Sequence, residues 1–181
     1  MGDDQVWYSE NIPADIPTHD NIVASCARAG FSRNGVYIKP RFWVKYGNRS
    51  VIPGEGRTQA HVARIVNDNA GSVVRVPEVY LGFSRGRRGY IVMDFVGGTT
   101  LAQRKRNGRY EKKDIEVVAA AVQQLTKITM PAGTAPGPVG GGLIGHDFFV
   151  ECLSAIRYAT VRDLEVQINN VCLPLAFSAS Y

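Results

Sequence analysis

The chain has 181 residues, of which 45% are hydrophobic and 20% charged, a composition typical of folded globular proteins rather than disordered ones. Its formal net charge of +5 suits anionic partners such as phosphates or nucleic acids, and it also suits simple solubility. No apolar run reaches the length of a membrane span, and the acidic start lacks the order of a secretory signal. We therefore expect no membrane partner and a cytoplasmic location.

The first half of the chain predicts a small antiparallel sheet with one packed helix. Residues 1–20 are polar and read as an N-terminal arm, and residues 22–29 fit either a short helix or a strand. Apolar alternation and turn residues predict strands at 36–38, 42–46, 76–83 and 90–95, with a helix at 55–69 between the second and third. In the second strand, alternation separates Phe42, Val44 and Tyr46 from Trp43 and Lys45 on the other face.

Beyond Gly98 the pattern becomes helical. Thr99 or Thr100 can cap a short helix beginning at Leu101, and the strongest helical period runs over 114–129. That helix carries one apolar stripe, formed by Ile115, Val118, Val122 and Leu125. Further helices are predicted at 148–158 and 162–171. The Gly- and Pro-rich segment 131–145 follows a helix and has no Gly-Lys-Ser/Thr, so it favours a linker over a phosphate loop.

Several of these segments, in this order and spacing, resemble the aminoglycoside phosphotransferase-like family of the protein-kinase-like fold, particularly its fungal members. The matching residues are Val44–Gly47, Glu55, Val76–Tyr80, Tyr90–Met93 and Gly98–Leu101, with Asp94 in place of the usual Glu. The resemblance covers residues 36–171. It implies an α+β fold: an arm at 1–20, a kinase-like small lobe at 21–97 and an incomplete helical large lobe at 98–181.

The resemblance also implies a nucleotide site in the small lobe. Lys45 would hold the α and β phosphates of ATP, and Glu55 would fix the lysine by an ion pair. Met93 would neighbour the adenine, and the backbone of Asp94, Phe95 and Val96 would hydrogen-bond it. ATP and Mg²⁺ are the implied cofactors, and the acceptor in the intact family is the hydroxyl of a small molecule.

The sequence departs from the family pattern in three places. No GxGxxG precedes the first strands, and Trp43 brings a large indole to a position where a small side chain would line the adenine pocket, so we expect the indole to narrow or block that pocket. Leu173–Ser178 looks like the lead-in to the catalytic loop, but Ala179 and Tyr181 stand where its His and Asp belong. The catalytic base and the Mg²⁺-binding residues are missing from this sequence, so as written we expect no phosphoryl transfer.

Other interpretations stay open. Alone, Lys45 is most simply a solvated strand lysine and Glu55 a helix-start carboxylate that suits the helix dipole. A non-catalytic remnant that binds a nucleotide is one alternative, and a remnant that binds a protein partner over its incomplete lobe is another. Two basic clusters lie in turns or near a helix end and lack interleaved aromatics, so we do not expect nucleic-acid binding. They are Arg85, Arg87 and Arg88, and Arg104, Lys105, Arg106 and Arg109.

Overall fold

The computed structural model describes the backbone of residues 6–31 and 35–177, and side chains as far as residue 170. The sequence Asn34-Gly35 predicts a hairpin turn before β2, and Asn34 lies outside the described residues. Two compact units divide the chain, at 1–129 and 130–181. The first unit holds strands β1 (Val6–Tyr8), β2 (Gly35–Ile38), β3 (Phe42–Asn48), β4 (Val79–Arg85) and β5 (Arg88–Asp94) with helices α1 (His19–Arg28), α2 (Ile52–Asn67), α3 (Leu101–Arg106) and α4 (Lys112–Leu125). The second holds a 3-10 turn (Val150–Cys152) and α5 (Val161–Phe177).

The strands form one antiparallel sheet in the order β1-β4-β5-β3-β2, so the α+β class predicted from the sequence is confirmed. The four predicted strands are present, although β4 begins at Val79 rather than at residue 76. The arm also contributes a short strand that the sequence did not reveal: Trp7 of β1 lies opposite Gly82 of β4. An edge strand of three residues has too little alternation to be recognised from its pattern.

One face of the sheet packs against α1. Phe42, Val44 and Tyr46 of β3 are buried there, as alternation predicted, and they meet Ile22 and Cys26 of the helix. The segment that fitted either a helix or a strand is therefore a helix. It begins where the Thr18 side chain accepts a hydrogen bond from the backbone N–H of Asn21, an N-cap that removes one unpaired donor.

The opposite face packs against α2, so the sheet has a helix on each side and the prediction of one packed helix was incomplete. Helix α2 begins before Glu55, with Pro53 in its first turn, where the missing N–H costs no hydrogen bond. The helix approaches the sheet closely at two glycines. A Cβ atom on Gly56 would lie 3.2 Å from Ile91, and one on Gly89 would lie 2.8 Å from Ile52.

Helices α3 and α4 follow the sheet. Thr100 caps α3 as predicted, in a capping box with Gln103. Helix α4 is held to the loop before β4 by Gln124, whose amide accepts from the Val73 N–H at 3.0 Å and donates to the Ser72 hydroxyl at 2.8 Å. The predicted apolar stripe of α4 is exposed to solvent. The exposed fractions of its four residues range from 37% to 54%, and the residues are Ile115, Val118, Val122 and Leu125.

In the second unit, the helix predicted over 148–158 is wrong apart from the short 3-10 turn. Ser154 is buried there, accepts the Ile144 N–H at 2.8 Å and donates its hydroxyl to the Ile156 carbonyl, which holds the segment in a folded-back loop. Glu151 has a φ of 58°, which is incompatible with a regular helix. The last predicted helix is confirmed as α5. It continues to Phe177, so the expected lead-in to a catalytic loop is helical up to that residue, and 178–181 lie outside the described residues.

Within the described residues, none of the helices has both the length and the apolar character that crossing a bilayer would demand.

Candidate functional site

The structure brings Lys45 and Glu55 together. Lys45 lies on β3 opposite Ile91 of β5, and alternation directs its side chain to the face that packs against α2. Glu55 lies in the first turn of α2, which starts four positions after β3 ends, so the helix begins over the end of the strand. The Lys45 ammonium donates a hydrogen bond to the Glu55 carboxylate. The geometry thus contains the ion pair that the resemblance implies.

The pair is partly open to solvent. The side chains of Lys45 and Glu55 are 37% and 36% exposed, respectively. Ion pairs with this degree of solvation contribute only about 0–1 kcal/mol to folding. The fold therefore does not depend on the pair for much of its stability, and the ammonium lies where a dissolved anion can reach it.

Two residues at the end of β5 point to opposite sides of the sheet. Met93 is buried on the α2 side, where its sulfur lies 3.4 Å from the Gln59 amide nitrogen. The Asp94 carboxylate instead accepts the Tyr80 hydroxyl at 2.7 Å on the α1 side. Burial, and then this hydrogen bond, raise the pKa of Tyr80 to about 12. Asp94 can therefore offer only backbone groups to a ligand beside Lys45.

Two backbone N–H groups at the end of β5 already donate hydrogen bonds to other parts of the protein. The N–H of Asp94 donates to the Glu78 carbonyl at 3.0 Å, and the N–H of Phe95 donates to the Arg41 carbonyl at 2.8 Å. Val96 is exposed. Hydrogen bonds from this segment to a base, as predicted for Asp94, Phe95 and Val96, would therefore come from the carbonyl oxygens or from Val96.

Three aromatic side chains line the same face beside Lys45, and we call Tyr37, Trp43 and Phe95 the aromatic row. Tyr37 lies opposite Trp43 in the β2–β3 ladder, and Trp43 lies opposite Met93 of β5. The ring centroid of Phe95 is 4.4 Å from that of Tyr37 and 6.2 Å from that of Trp43. The row therefore extends from β2 to the segment that follows β5.

Gly35 explains how the Trp43 indole fits on this surface. Gly35 lies directly opposite Lys45, and a Cβ atom at this position would lie 2.5 Å from Cε2 of the indole. Real Cβ atoms do not approach so closely, so only glycine admits the ring there. Trp43 and Phe95 were candidates from the sequence, but Tyr37 and Gly35 were not. Alternation within the predicted strand 36–38 was the signal that could have placed Tyr37, whereas the role of Gly35 depends on the β2–β3 register.

The basic clusters are partly neutralised within the protein. Arg85 pairs with Asp20, and the Arg88 guanidinium lies 3.7 Å from the centroid of the Phe31 ring. Arg104 pairs with Asp114 at 3.1 Å. The Asp114 pKa is lowered, first by the Glu111 N–H and then by Arg104. The two ion pairs reduce the positive charge that the clusters present to a polyanion.

No group of three or more His, Cys, Asp or Glu side chains converges as a metal site in the part of the chain that the structure describes. The chain matches no family model, and no curated protein or solved structure shows significant similarity to it.

Proposed function

We propose that the first unit binds the phosphate groups of a nucleoside triphosphate at Lys45, on the face of the sheet covered by α2. The observation that carries the proposal is the partly solvated ion pair between Lys45 of β3 and Glu55 of α2. A phosphate chain needs a cation, and a long, flexible ammonium binds it best when another group limits its freedom. Glu55 is placed to do this without removing the ammonium from solvent.

The charge balance of the pair limits what Lys45 can do alone. Glu55 cancels the lysine charge at close range, so the net attraction for a distant anion is small. A polyphosphate ligand would normally arrive with Mg²⁺, which bridges phosphate oxygens and neutralises part of their charge. The metal would arrive with the ligand, because the Glu55 carboxylate is engaged by Lys45.

We propose binding, not turnover, for this group of residues. Phosphoryl transfer to a small-molecule hydroxyl, the activity expected from the resemblance, needs a base that can orient the hydroxyl and accept its proton. The Glu55 carboxylate is engaged by Lys45, and the Asp94 carboxylate lies on the other side of the sheet. Neither carboxylate is placed to serve an acceptor beside Lys45.

The test is calorimetric titration of the full chain with ATP in the presence of Mg²⁺, together with an assay for ADP. We expect saturable binding without ADP formation, and a loss of affinity of at least tenfold in Lys45→Ala. Lys113→Ala is the matched control, because Lys113 is an exposed lysine on α4 in the same unit. Equal affinity in the two variants would overturn the assignment of Lys45. Steady ADP release would overturn the proposal of binding alone.

A second candidate function, binding of a protein partner, is favoured by the apolar stripe of α4. Ile115 and Val122 are more than half exposed, and they share one face of the helix with Val118 and Leu125, which are also exposed. Stripes of this kind on a helix are commonly covered by a partner. Light scattering would show concentration-dependent association that the double substitution Ile115→Gln and Val122→Gln abolishes. A chain that stays monomeric at high concentration would exclude a second copy of the chain as that partner.

A further inference from the structure

The aromatic row spans the proposed nucleotide site from one end to the other. Lys45, which would hold the phosphates, is at one end, and the segment 94–96, which was predicted to hydrogen-bond the base, is at the other. A ligand that contacts both ends must cross the positions of Trp43 and Met93 on the same face. What covers these positions therefore determines whether a base can lie against the sheet.

Trp43 fills that space from within the protein. Its indole is half-buried and packs against the apolar cluster formed by Ile52, Val79, Ile91 and Met93. At the same time it lies against Gly35, the residue opposite Lys45, so the ring leans along the sheet toward the lysine. The indole is thus part of the packing on this face, and it reaches the residue that lies opposite Lys45 in the sheet.

The other end of the site is covered by Phe95 and Tyr37. Their ring centroids are 4.4 Å apart, and the Tyr37 hydroxyl donates to the Pro40 carbonyl, which fixes the direction of that ring. Phe95 belongs to the segment whose backbone was expected to meet the base, yet its own ring turns back onto the row. A base would have to displace this contact to reach the sheet.

We propose that the aromatic row occupies the base position, with Trp43 as the specificity-determining residue, so that the site binds polyphosphate chains without reading the base. The ligand class is polyphosphates, including nucleoside triphosphates with any base. This inference rests on the proposed function, since it assumes that Lys45 binds phosphate. It differs from that function in assigning the binding energy to the phosphate chain alone.

The experiment compares inorganic tripolyphosphate, ATP and CTP, each with Mg²⁺, in titrations of the full chain. For the native protein we expect three dissociation constants within about threefold of one another. In Trp43→Ala, which vacates the base position, the affinity for ATP should rise at least tenfold while that for tripolyphosphate stays unchanged. Trp7→Ala is the matched control, because Trp7 packs on the same apolar cluster from the far edge of the sheet. It should leave the ratio of the two affinities as in the native protein.

The outcomes distinguish failure of the proposal for the aromatic row from failure of phosphate binding at Lys45. Native protein that binds ATP at least tenfold more tightly than tripolyphosphate, with the affinity lost in Lys45→Ala, would overturn the inference and leave the proposed function standing. Absence of binding for all three ligands, in the native protein and the tryptophan variants alike, would overturn both. If Trp43→Ala does not fold, Trp43→Leu keeps an apolar side chain against the cluster while removing the indole, and the affinity for ATP should rise in the same direction by a smaller factor. The comparison in the native protein needs no variant.

Discussion

The two faces of the sheet are built from the same strands but serve different ends. On the α1 side, β3 contributes Phe42, Val44 and Tyr46, all buried in a continuous apolar core. On the α2 side, the same strand contributes Trp43 and Lys45, both of which keep contact with solvent. A strand can thus bury one set of alternate residues in a core and keep the other set in contact with solvent. We expect substitutions in the α1-side core to have the largest effect on folding, and substitutions of the partly solvated Lys45 to have little effect on folding.

The largest effect is expected from Phe42→Ala, which would open a cavity in the α1-side core. Phe42 is fully buried, and truncations of this kind cost about 3–5 kcal/mol of stability. Denaturant unfolding followed by circular dichroism would measure the loss. A change below 1 kcal/mol would contradict the assignment of this face as the structural one.

The same face should make stability sensitive to high pH. Burial raises the pKa of the Cys26 thiol from 9.0 to about 11, against a smaller opposing effect of Arg88. The folded protein therefore holds this proton more tightly than the unfolded chain does. The stability that this difference contributes is fully present below pH 9, and it is lost as the pH rises from 9 to 11. At higher pH, Tyr80 adds a loss in the same direction.

Unfolding measured between pH 8 and pH 11 would test this in the native protein and in Cys26→Ala. The variant should be less stable at pH 8 and show a shallower decline above pH 9. Cys152→Ser is the comparison, because Cys152 is exposed and lies in the other unit, and its pKa is raised first by a hydrogen bond with Asp147 rather than by burial. Parallel declines in all three proteins would exclude Cys26 as the cause.

On the α2 side, Gly35→Ala should cost about 1–3 kcal/mol, as expected for overpacking. The new Cβ would meet the Trp43 indole at 2.5 Å, so the ring must move. In a Trp43→Ala background the same change should be nearly neutral, which a double-mutant cycle would reveal. Gly97→Ala serves as the control, since the nearest atom to its Cβ would lie 4.0 Å away. Equal costs in both backgrounds would mean that the indole does not lie against Gly35.

Local pattern predicted the sheet because it arises from alternation and short connections, whereas the Lys45–Glu55 pair was expected only from the resemblance. The separation of Phe42 from Trp43 follows directly from the two-residue period of a strand, and it is confirmed. The strand β1 and the failed helix over 148–158 depend instead on long-range contacts. Strand β1 forms because it pairs with β4. The hydrogen bonds of Ser154 hold the segment 148–158 in a loop where a helix was predicted. Neither contact leaves a periodic signal.

The aromatic row lies between these cases. The sequence placed Trp43 on the Lys45 face and predicted that an indole there would narrow or block the adenine pocket. That consequence stays a prediction, although the indole does lie on this face. The fit of the ring against Gly35 was beyond reach, because it depends on the β2–β3 register, and the residues of the preceding turn are not enough to set it.

The most direct test of the account is the stability of Lys45→Met, measured with and without tripolyphosphate and Mg²⁺. Without ligand, we predict that the variant unfolds within about 1 kcal/mol of the native protein, since the ion pair is partly solvated. Saturating ligand should then raise the unfolding midpoint of the native protein and leave that of the variant unchanged. A variant destabilised by several kcal/mol would show that Lys45 serves the fold. A variant stabilised by the ligand as much as the native protein would show that Lys45 does not bind the anion.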